Sequence, residues 1–160
     1  MKPLRLGIIA DTHGLFDRKI PALFNGVTHI IHAGDVESPH ILDELRAIGP
    51  LTAVAGNVDM GDLARLPQFA RLEFGDKKIL VTHIIGRPTK LNAETTAEVL
   101  REKPDVLIYG HTHLPKSDII EGILIFNPGA AGPKRFDQPR TVAILEISGE
   151  KITTDWISLE

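Results

Sequence analysis

Five short apolar runs in this chain each end in a polar side chain of a kind that binds cations. The runs are Leu4 to Ala10, Thr28 to Ala33, Leu51 to Ala55, Ile79 to Thr82 and Asp105 to Tyr109. Apolar runs of this length, bounded by turn residues, predict buried strands. In α/β sheets the carboxyl ends of the strands are where ligand sites form. We therefore expect five polar strand ends to meet at one edge of the fold.

The polar residues follow each run either directly or after one glycine. In chain order they are Asp11 and His13, Asp35, Asn57, His83, and His111 with His113. Glycine precedes Asp35, Asn57 and His111. A glycine allows a tight turn and a close approach of the backbone, which crowding several ligands around one point requires.

These donors are imidazole nitrogens and oxygen atoms, and the chain has no cysteine. Such a set suits a borderline-to-hard metal ion. Asp11 and His13 lie on the same side of an extended segment, and so do His111 and His113, because side chains of a strand alternate. Seven donors are too many for one tetrahedral site and suit two ions that share a carboxylate. Each residue alone is typical of an Asx turn, a core histidine or a polar loop; only their joint placement favours a metal centre.

The rest of the chain predicts two helices and a set of later strands. Residues Pro39 to Ile48 and Thr89 to Lys103 have helical spacing, and the second places Leu91, Thr95, Val99 and Leu100 on one face. Later strands are predicted at Lys116 to Ile120, Ile123 to Phe126, Thr141 to Ile147 and Ile152 to Ile157. The fold class is therefore α/β, and we expect one domain over residues 1–160.

Composition excludes several classes of protein. An apolar fraction of 42% argues against disorder, and the lack of cysteine rules out disulfides and thiolate chemistry. A net charge of −3 without a basic run argues against a dedicated nucleic-acid surface. The opening apolar run is interrupted at Asp11, too early for a secretory leader, and we see no stretch long enough for a membrane span. We expect a cytoplasmic protein that contacts no membrane.

The polar residues form a series of motifs whose order resembles that of a known family. D-x-H, G-D, G-N-x-D, a lone histidine and G-H-x-H occur in this order from Asp11 to His113. This order is similar to the calcineurin-like metallophosphoesterase superfamily. The short chain and the Asn127-Pro128-Gly129 turn resemble its small bacterial and archaeal phosphodiesterase subfamily, which is related to a metal-free retromer subunit. The resemblance implies a four-layer α-β-β-α sandwich of two mixed sheets.

The resemblance also implies roles for individual residues. One ion would be held by Asp11, His13 and His113, and the other by Asn57, His83 and His111. Asp35 would bridge the two ions, and Asp35 and Asn57 would be catalytic. The implied cofactors are two divalent metal ions, with manganese expected first and nickel, iron or zinc as alternatives. A hydroxide that bridges the ions would attack a small phosphodiester in line, and the site would keep a net charge near +1, matched to a diester monoanion.

Some positions depart from the family pattern or leave alternatives open. Val58 follows Asn57 where many members have a histidine, so the acid for the leaving group is unassigned. Arg135 is either a substrate-phosphate contact or an ordinary surface arginine. His32 either orients Asp35 or is hydrogen-bonded within its strand, and Asp59 is expected to support its loop rather than bind metal. A metal-binding scaffold with little catalysis and a phosphomonoesterase are the alternative functions, and a homodimer is possible.

Overall fold

The computed structural model describes residues 2–160, in which most strands belong to two sheets that pack face to face. The strands of the first sheet are β1 (Leu4–Ile9), β2 (His29–His32), β3 (Leu51–Ala53), β11 (Thr141–Ser148) and β12 (Lys151–Ser158). Their order across the sheet is β12-β11-β1-β2-β3. β1, β2 and β3 run parallel, while β11 and β12 are antiparallel to their neighbours.

The second sheet has a similar plan. Its strands are β4 (Phe69–Phe74), β5 (Lys77–Thr82), β8 (Val106–Ile108), β9 (Lys116–Ile120) and β10 (Ile123–Asn127), in the order β4-β5-β8-β10-β9. β5, β8 and β10 run parallel, and the outer strands β4 and β9 are antiparallel to them. A small hairpin of β6 (Gly86–Arg87) and β7 (Lys90–Leu91) lies between β5 and the next helix.

Apolar side chains form three clusters that separate four layers. The cluster between the sheets includes Ile8 and Ile31 from one sheet and Val81 and Ile108 from the other. The outer face of the first sheet is covered by α1 (Ile20–Leu23) and α2 (Pro39–Ile48), and that of the second by α3 (Ala93–Glu102). This arrangement confirms the predicted α-β-β-α sandwich. None of the helices in residues 2–160 combines the length and the hydropathy of a membrane span.

The predicted helix over Thr89 to Lys103 starts too early. α3 begins at Ala93, where Asn92 accepts a 2.8 Å hydrogen bond from the Thr95 N–H and so caps the helix. Leu100 was predicted to share a face with Thr95 and Val99, but these two residues turn toward the sheet and Leu100 is 70% exposed. The strands β4, β6 and β7, the helix α1 and a 3-10 helix at Gly61–Arg65 were not predicted. All of these are short or lie at an edge.

Candidate metal centre

The parallel strands of both sheets deliver the predicted donors to one edge of the sandwich. Loops after β1, β2 and β3 carry the donors from the first sheet, and those after β5 and β8 carry the donors from the second. We call Asp11, His13 and His113 the first group and Asp35, His83 and His111 the second group. Within each group one donor atom of every residue lies within 4.8 Å of the others. Asn57 joins the second group, since its Oδ1 is 3.2 Å from His111 Nδ1.

The backbone around these donors is strained. The donors with positive φ are Asp11 (52°), His13 (44°), Asp35 (59°), His111 (73°) and His113 (65°). Residues other than glycine rarely adopt this region, and each such position costs on the order of 1–3 kcal/mol. Hydrogen bonds between the loops hold it, for example from the Asp11 N–H to the Gly34 carbonyl and from the His13 N–H to the Asp35 carbonyl. The strained loops therefore lower the stability of the fold, and they direct these side chains toward one point.

The glycines before the donors make room for ligands from neighbouring loops. A Cβ at Gly34 would lie 2.7 Å from His83 Nδ1, and one at Gly56 would lie 2.1 Å from Asp35 Oδ1. A Cβ at Gly110 would lie 2.9 Å from Asp11 Oδ2. Each glycine thus admits a donor from a different strand. This result confirms the predicted close approach and explains why glycine recurs at these positions.

The first group is almost closed to solvent. His13 Nε2 lies 3.2 Å from His113 Nε2 and 3.8 Å from Asp11 Oδ1, and His113 Nε2 is 3.4 Å from the same oxygen. On the other side of its ring, His13 Nδ1–H donates a 2.9 Å hydrogen bond to Glu37 Oε1. That bond leaves the lone pair of Nε2 facing the group.

The second group is partly open. His83 Nδ1–H donates to the Ala33 carbonyl at 2.7 Å, and its Nε2 lies 3.1 Å from Asp35 Oδ2. His83 and Asp35 are buried, whereas His111 and Asn57 are exposed. Burial lowers the pKa of His83, but the adjacent Asp35 carboxylate and the charge of Asp11 outweigh burial and raise the pKa overall. Burial acts to raise the pKa of Asp35, but His83 and the Val58 N–H lower it overall.

Two buried atoms at the centre lack hydrogen-bond partners within residues 2–160. They are Asp11 Oδ1 and His83 Nε2. Buried polar atoms are nearly always satisfied, so an orphaned carboxylate oxygen facing an orphaned imidazole nitrogen calls for a missing partner. Donors that share one ion at about 2.1 Å in tetrahedral geometry are roughly 3.4 Å apart, close to the separations in both groups. The residues therefore fit divalent metal ions.

Buried polar residues outside the two groups hold the loops in place. The Asp59 carboxylate accepts hydrogen bonds from the backbone N–H groups of Asp35, Gly56 and Glu37. This network agrees with the loop-supporting role predicted for Asp59. Asn127, at the end of β10, donates to the Gly110 carbonyl and so fixes the loop that carries His111 and His113.

His32 forms hydrogen bonds with the loops of both groups and none with the Asp35 carboxylate within residues 2–160. Its Nδ1 accepts from the Gly34 N–H at 3.1 Å, so its proton lies on Nε2, which donates to Thr12 Oγ1 at 3.0 Å. The Thr12 hydroxyl in turn donates to the Val36 carbonyl. Burial lowers the pKa of His32 to about 4 against the opposing charge of Asp11. A neutral His32 thus anchors the residue between Asp11 and His13.

Two clefts flank the centre. One, of about 260 Å³, is lined by residues that include Asn57, His83 and Ile84. The other, of about 220 Å³, is lined by residues that include His111, His113 and Arg135. The guanidinium of Arg135 is exposed and forms no ion pair with any residue in the range 2–160. Arg135 is therefore placed where it is free to meet an anion.

Glu37 is absent from the predicted ligand set, although it lies behind His13. A carboxylate behind a metal-binding imidazole fixes its tautomer and raises its basicity. Glu37 also has a positive φ, 63°, so it shares the strain of the donors. Its spacing of two from Asp35 matches that of Asp11 and His13, and this repeated spacing could have pointed to it. All four residues have a positive φ and lie beyond the ends of their strands, so the expectation that strand alternation places such pairs on one side is wrong.

The comparisons with known proteins agree with this geometry. A sequence profile of the calcineurin-like phosphoesterase superfamily domain matches residues 4–150. A probable metallophosphoesterase of Methanothermobacter thermautotrophicus is 34% identical over 158 residues, which cover 95% of this chain and 91% of the relative. A phosphodiesterase of Methanocaldococcus jannaschii is 29% identical over 144 residues, which cover 79% of this chain and 83% of the relative. Vacuolar Protein Sorting 29 from Cryptosporidium parvum has a similar fold, with a TM-score of 0.78, 18% identity and 98% of each chain covered.

Proposed function

The chain belongs to the calcineurin-like phosphoesterase superfamily, and from this premise we propose that it is a metal-dependent phosphodiesterase with a binuclear centre. Members of this family bind divalent metal ions. The relative from M. jannaschii is named as a phosphodiesterase, which supports the diester as substrate class. The proposed substrate is a small phosphodiester.

The position of Asp35 between the two groups is the observation that carries the binuclear proposal. Its Oδ2 lies 3.7 Å from His13 Nε2 in the first group and 3.1 Å from His83 Nε2 in the second. Its Oδ1 accepts a 3.0 Å hydrogen bond from the Val58 N–H, so the carboxylate cannot turn away. Asp11 Oδ1 is also only 3.8 Å from His83 Nε2, so the groups adjoin closely enough for one carboxylate to serve both.

We assign Asp11, His13 and His113 to one ion, Asn57, His83 and His111 to the other, and Asp35 to both. Two divalent ions, when bound, supply a Lewis acid that activates water and offsets charge on phosphate oxygens. The chain holds the required protonation states in advance. Glu37 and the Ala33 carbonyl accept the Nδ1 protons of His13 and His83, which leaves each Nε2 ready to bind.

The clefts on either side of the centre support a diester over a monoester. A phosphodiester carries two organic substituents, and one cleft beside Asn57 and one beside His113 can receive one each. Arg135 in the second cleft is proposed to contact the substrate phosphate. Its fixed charge adds to the attraction for an anion.

The loop after β3 offers no proton donor for the leaving group at the position that follows Asn57. That position is Val58, whose side chain cannot titrate. We therefore expect aryl esters with acidic leaving groups to be cleaved well and alkyl leaving groups slowly. A series of methyl aryl phosphates measures this dependence. A rate that does not change with the pKa of the leaving group would contradict it.

The phosphodiesterase proposal is tested with the purified chain after removal of metal by a chelator. Hydrolysis of bis(p-nitrophenyl) phosphate should be lost and should return when manganese is added. Nickel, iron and zinc in parallel identify the metal that supports the highest rate. p-Nitrophenyl phosphate is the matched monoester, and a higher kcat/KM for it would favour a phosphomonoesterase. Two bound ions per chain without hydrolysis of either ester would favour a metal-binding scaffold.

A further inference from the structure

The loop over residues 132–140 presents an aromatic ring beside the metal centre. The base of this loop is anchored by Arg140, whose Nη2 lies 3.1 Å from Asp17 Oδ2 and whose Nε–H donates to the Gly132 carbonyl at 2.6 Å. Lys134 is paired with Glu160 at 2.6 Å. Beyond these anchors, the Gln138 N–H donates to the Arg135 carbonyl and closes a turn at the tip of the loop. Phe136 lies at this tip.

The conformation of Phe136 is costly in the free protein. Its side chain is 95% exposed, the highest value among the exposed large apolar residues of the described chain. Its φ is +51°, and for a bulky side chain the left-handed region is a marked outlier. Strain of this kind is typical of ligand-binding segments. A solvent-exposed ring held in a strained conformation gains contacts only when another molecule packs against it.

Exposure alone would not distinguish Phe136, because single apolar side chains are common on protein surfaces. Leu100 and Ile119 are 70% and 77% exposed. Neither lines a cleft with residues of the candidate centre. Phe136 does, and the cleft residues are His111, Thr112, His113, Arg135, Phe136 and Gln138. An unpaired guanidinium, an open aromatic face and two of the proposed metal ligands therefore share one cleft of about 220 Å³.

We propose that Phe136 determines substrate specificity by stacking on a planar aromatic group of the phosphodiester. The inference rests on the proposed function, since the phosphate must lie at the metal centre for its substituent to reach this cleft. Arg135 then faces the phosphate, and the ring of Phe136 covers the flat face of the substituent. The substrate class is a phosphodiester in which the substituent that stays on phosphorus after cleavage is an aryl or nucleobase-like group. Stacking of this type prefers offset or edge-to-face contacts and tolerates different rings.

Binding of two phosphonates tests the assignment without relying on catalysis. Phenylphosphonate and methylphosphonate are titrated calorimetrically into the manganese-loaded chain. We expect phenylphosphonate to bind more tightly, and Phe136→Ala to reduce the ratio of the two affinities by about fivefold. Methylphosphonate should bind the variant as well as the wild type, because it does not reach the ring. Phe136→Tyr should restore the ratio, and the control Ile119→Ala should leave it unchanged.

Hydrolysis gives a second readout. Bis(p-nitrophenyl) phosphate and methyl p-nitrophenyl phosphate have the same leaving group but differ in the second substituent. Phe136→Ala should raise KM for the bis-aryl ester by about fivefold with kcat unchanged, and should leave KM for the methyl ester unchanged. An equal change for both esters, or no change for either, would overturn the specificity role.

The two proposals fail in distinguishable ways. If the manganese-loaded wild type cleaves neither ester, the phosphodiesterase proposal fails, and the ratio of the phosphonate affinities still decides whether the ring of Phe136 contacts an aryl group bound at the centre. If both esters are cleaved but Phe136→Ala leaves that ratio unchanged, only the role of Phe136 fails. Equal affinity of the wild type for the two phosphonates, or binding of neither, would also overturn it. Metal content and thermal midpoint of each variant confirm that the centre and the fold are intact.

Discussion

The two donor groups are built from the same kinds of side chain but differ in their access to water. In the first group Asp11 is fully buried and His113 is 7% exposed. In the second group Asp35 and His83 are each 3% exposed, but His111 and Asn57 face solvent. The strand ends thus form one enclosed site and one site with an open side. Chemistry on a bound ester needs such an open side, because water and substrate must enter.

The groups also differ in what lies behind their histidines. The Nδ1–H of His13 donates to the Glu37 carboxylate, whereas the Nδ1–H of His83 donates to the neutral carbonyl of Ala33. A carboxylate makes the imidazole more basic than a carbonyl does, and a buried site strengthens the attraction of Asp11 for a cation. We therefore expect the first group to bind its ion more tightly and to exchange it more slowly than the second group.

The largest effect should come from substitution of Asp35, because Asp35 is proposed to bind both ions. Asp35→Asn keeps the shape and the acceptor for the Val58 N–H but removes the charge shared by the groups. We expect kcat/KM to fall on the order of 10³-fold, together with weaker binding of both ions. Steady-state kinetics and metal analysis of the same preparation measure the two effects. A variant with near-normal metal content and rate would exclude a bridging role for Asp35.

Substitution of two neighbouring histidines tests the two groups one at a time. His111 and His113 lie two residues apart on one loop, yet they belong to different groups. Calorimetric titration of the wild type should resolve two binding steps with affinities that differ by about tenfold. His113→Ala should lose the tighter step, and His111→Ala should lose the weaker step. Loss of the same step in both variants would show that the groups do not act as separate sites.

Substitution of Glu37 should change the ion affinity of the first group only. Glu37→Gln keeps a hydrogen-bond acceptor for His13 but removes the negative charge. We expect the tighter step to weaken by about 10-fold, and the weaker step to change little. Glu44 pairs with His40 at 3.4 Å on α2 and belongs to neither group, so Glu44→Gln is the matched control. Equal effects of the two substitutions would refute the supporting role of Glu37.

The smallest effect concerns the protonation of two buried histidines. The pKa of His83 is raised above its ordinary value of 6.5, so protonation of His83 stabilises the metal-free fold at low pH, and this contribution is lost as the pH rises through the raised pKa. Metal binding needs the neutral ring and changes in the opposite sense. Affinity of the second group should fall by at most about tenfold per pH unit as the pH drops through that pKa.

His32 should behave in the opposite way. Because burial lowers its pKa to about 4, the folded chain keeps it neutral while the unfolded chain takes up a proton near pH 6.5. This histidine therefore reduces the free energy of unfolding as the pH falls from 6.5 toward 4. NMR of the imidazole carbons in the metal-free chain reports both titrations. Titration of His32 above that of His83 would contradict the structure.

Local patterns predicted much of the fold. The five apolar runs, their glycines and the polar residues after them all lie where the strand ends require, and the later strands match β9 to β12 closely. The errors have local reasons too. Residues Thr89 to Asn92 continue the helical spacing of α3 but contain the strand β7 and the cap. The edge strand β4 alternates apolar and charged residues from Ala70 to Phe74, so its pattern was present in the sequence and was missed.

The sequence by itself determined which donors exist and on which side of the fold they emerge. Strand periodicity and glycine placement are properties of a few consecutive residues, and they are visible in the chain alone. Only the tertiary structure decided that Glu37 lies behind His13, that His32 bonds to Thr12 instead of Asp35, and that Phe136 stands beside His113. These contacts depend on the register between strands and on loops that are distant in sequence. No local pattern encodes such a register, because packing of the two sheets sets it.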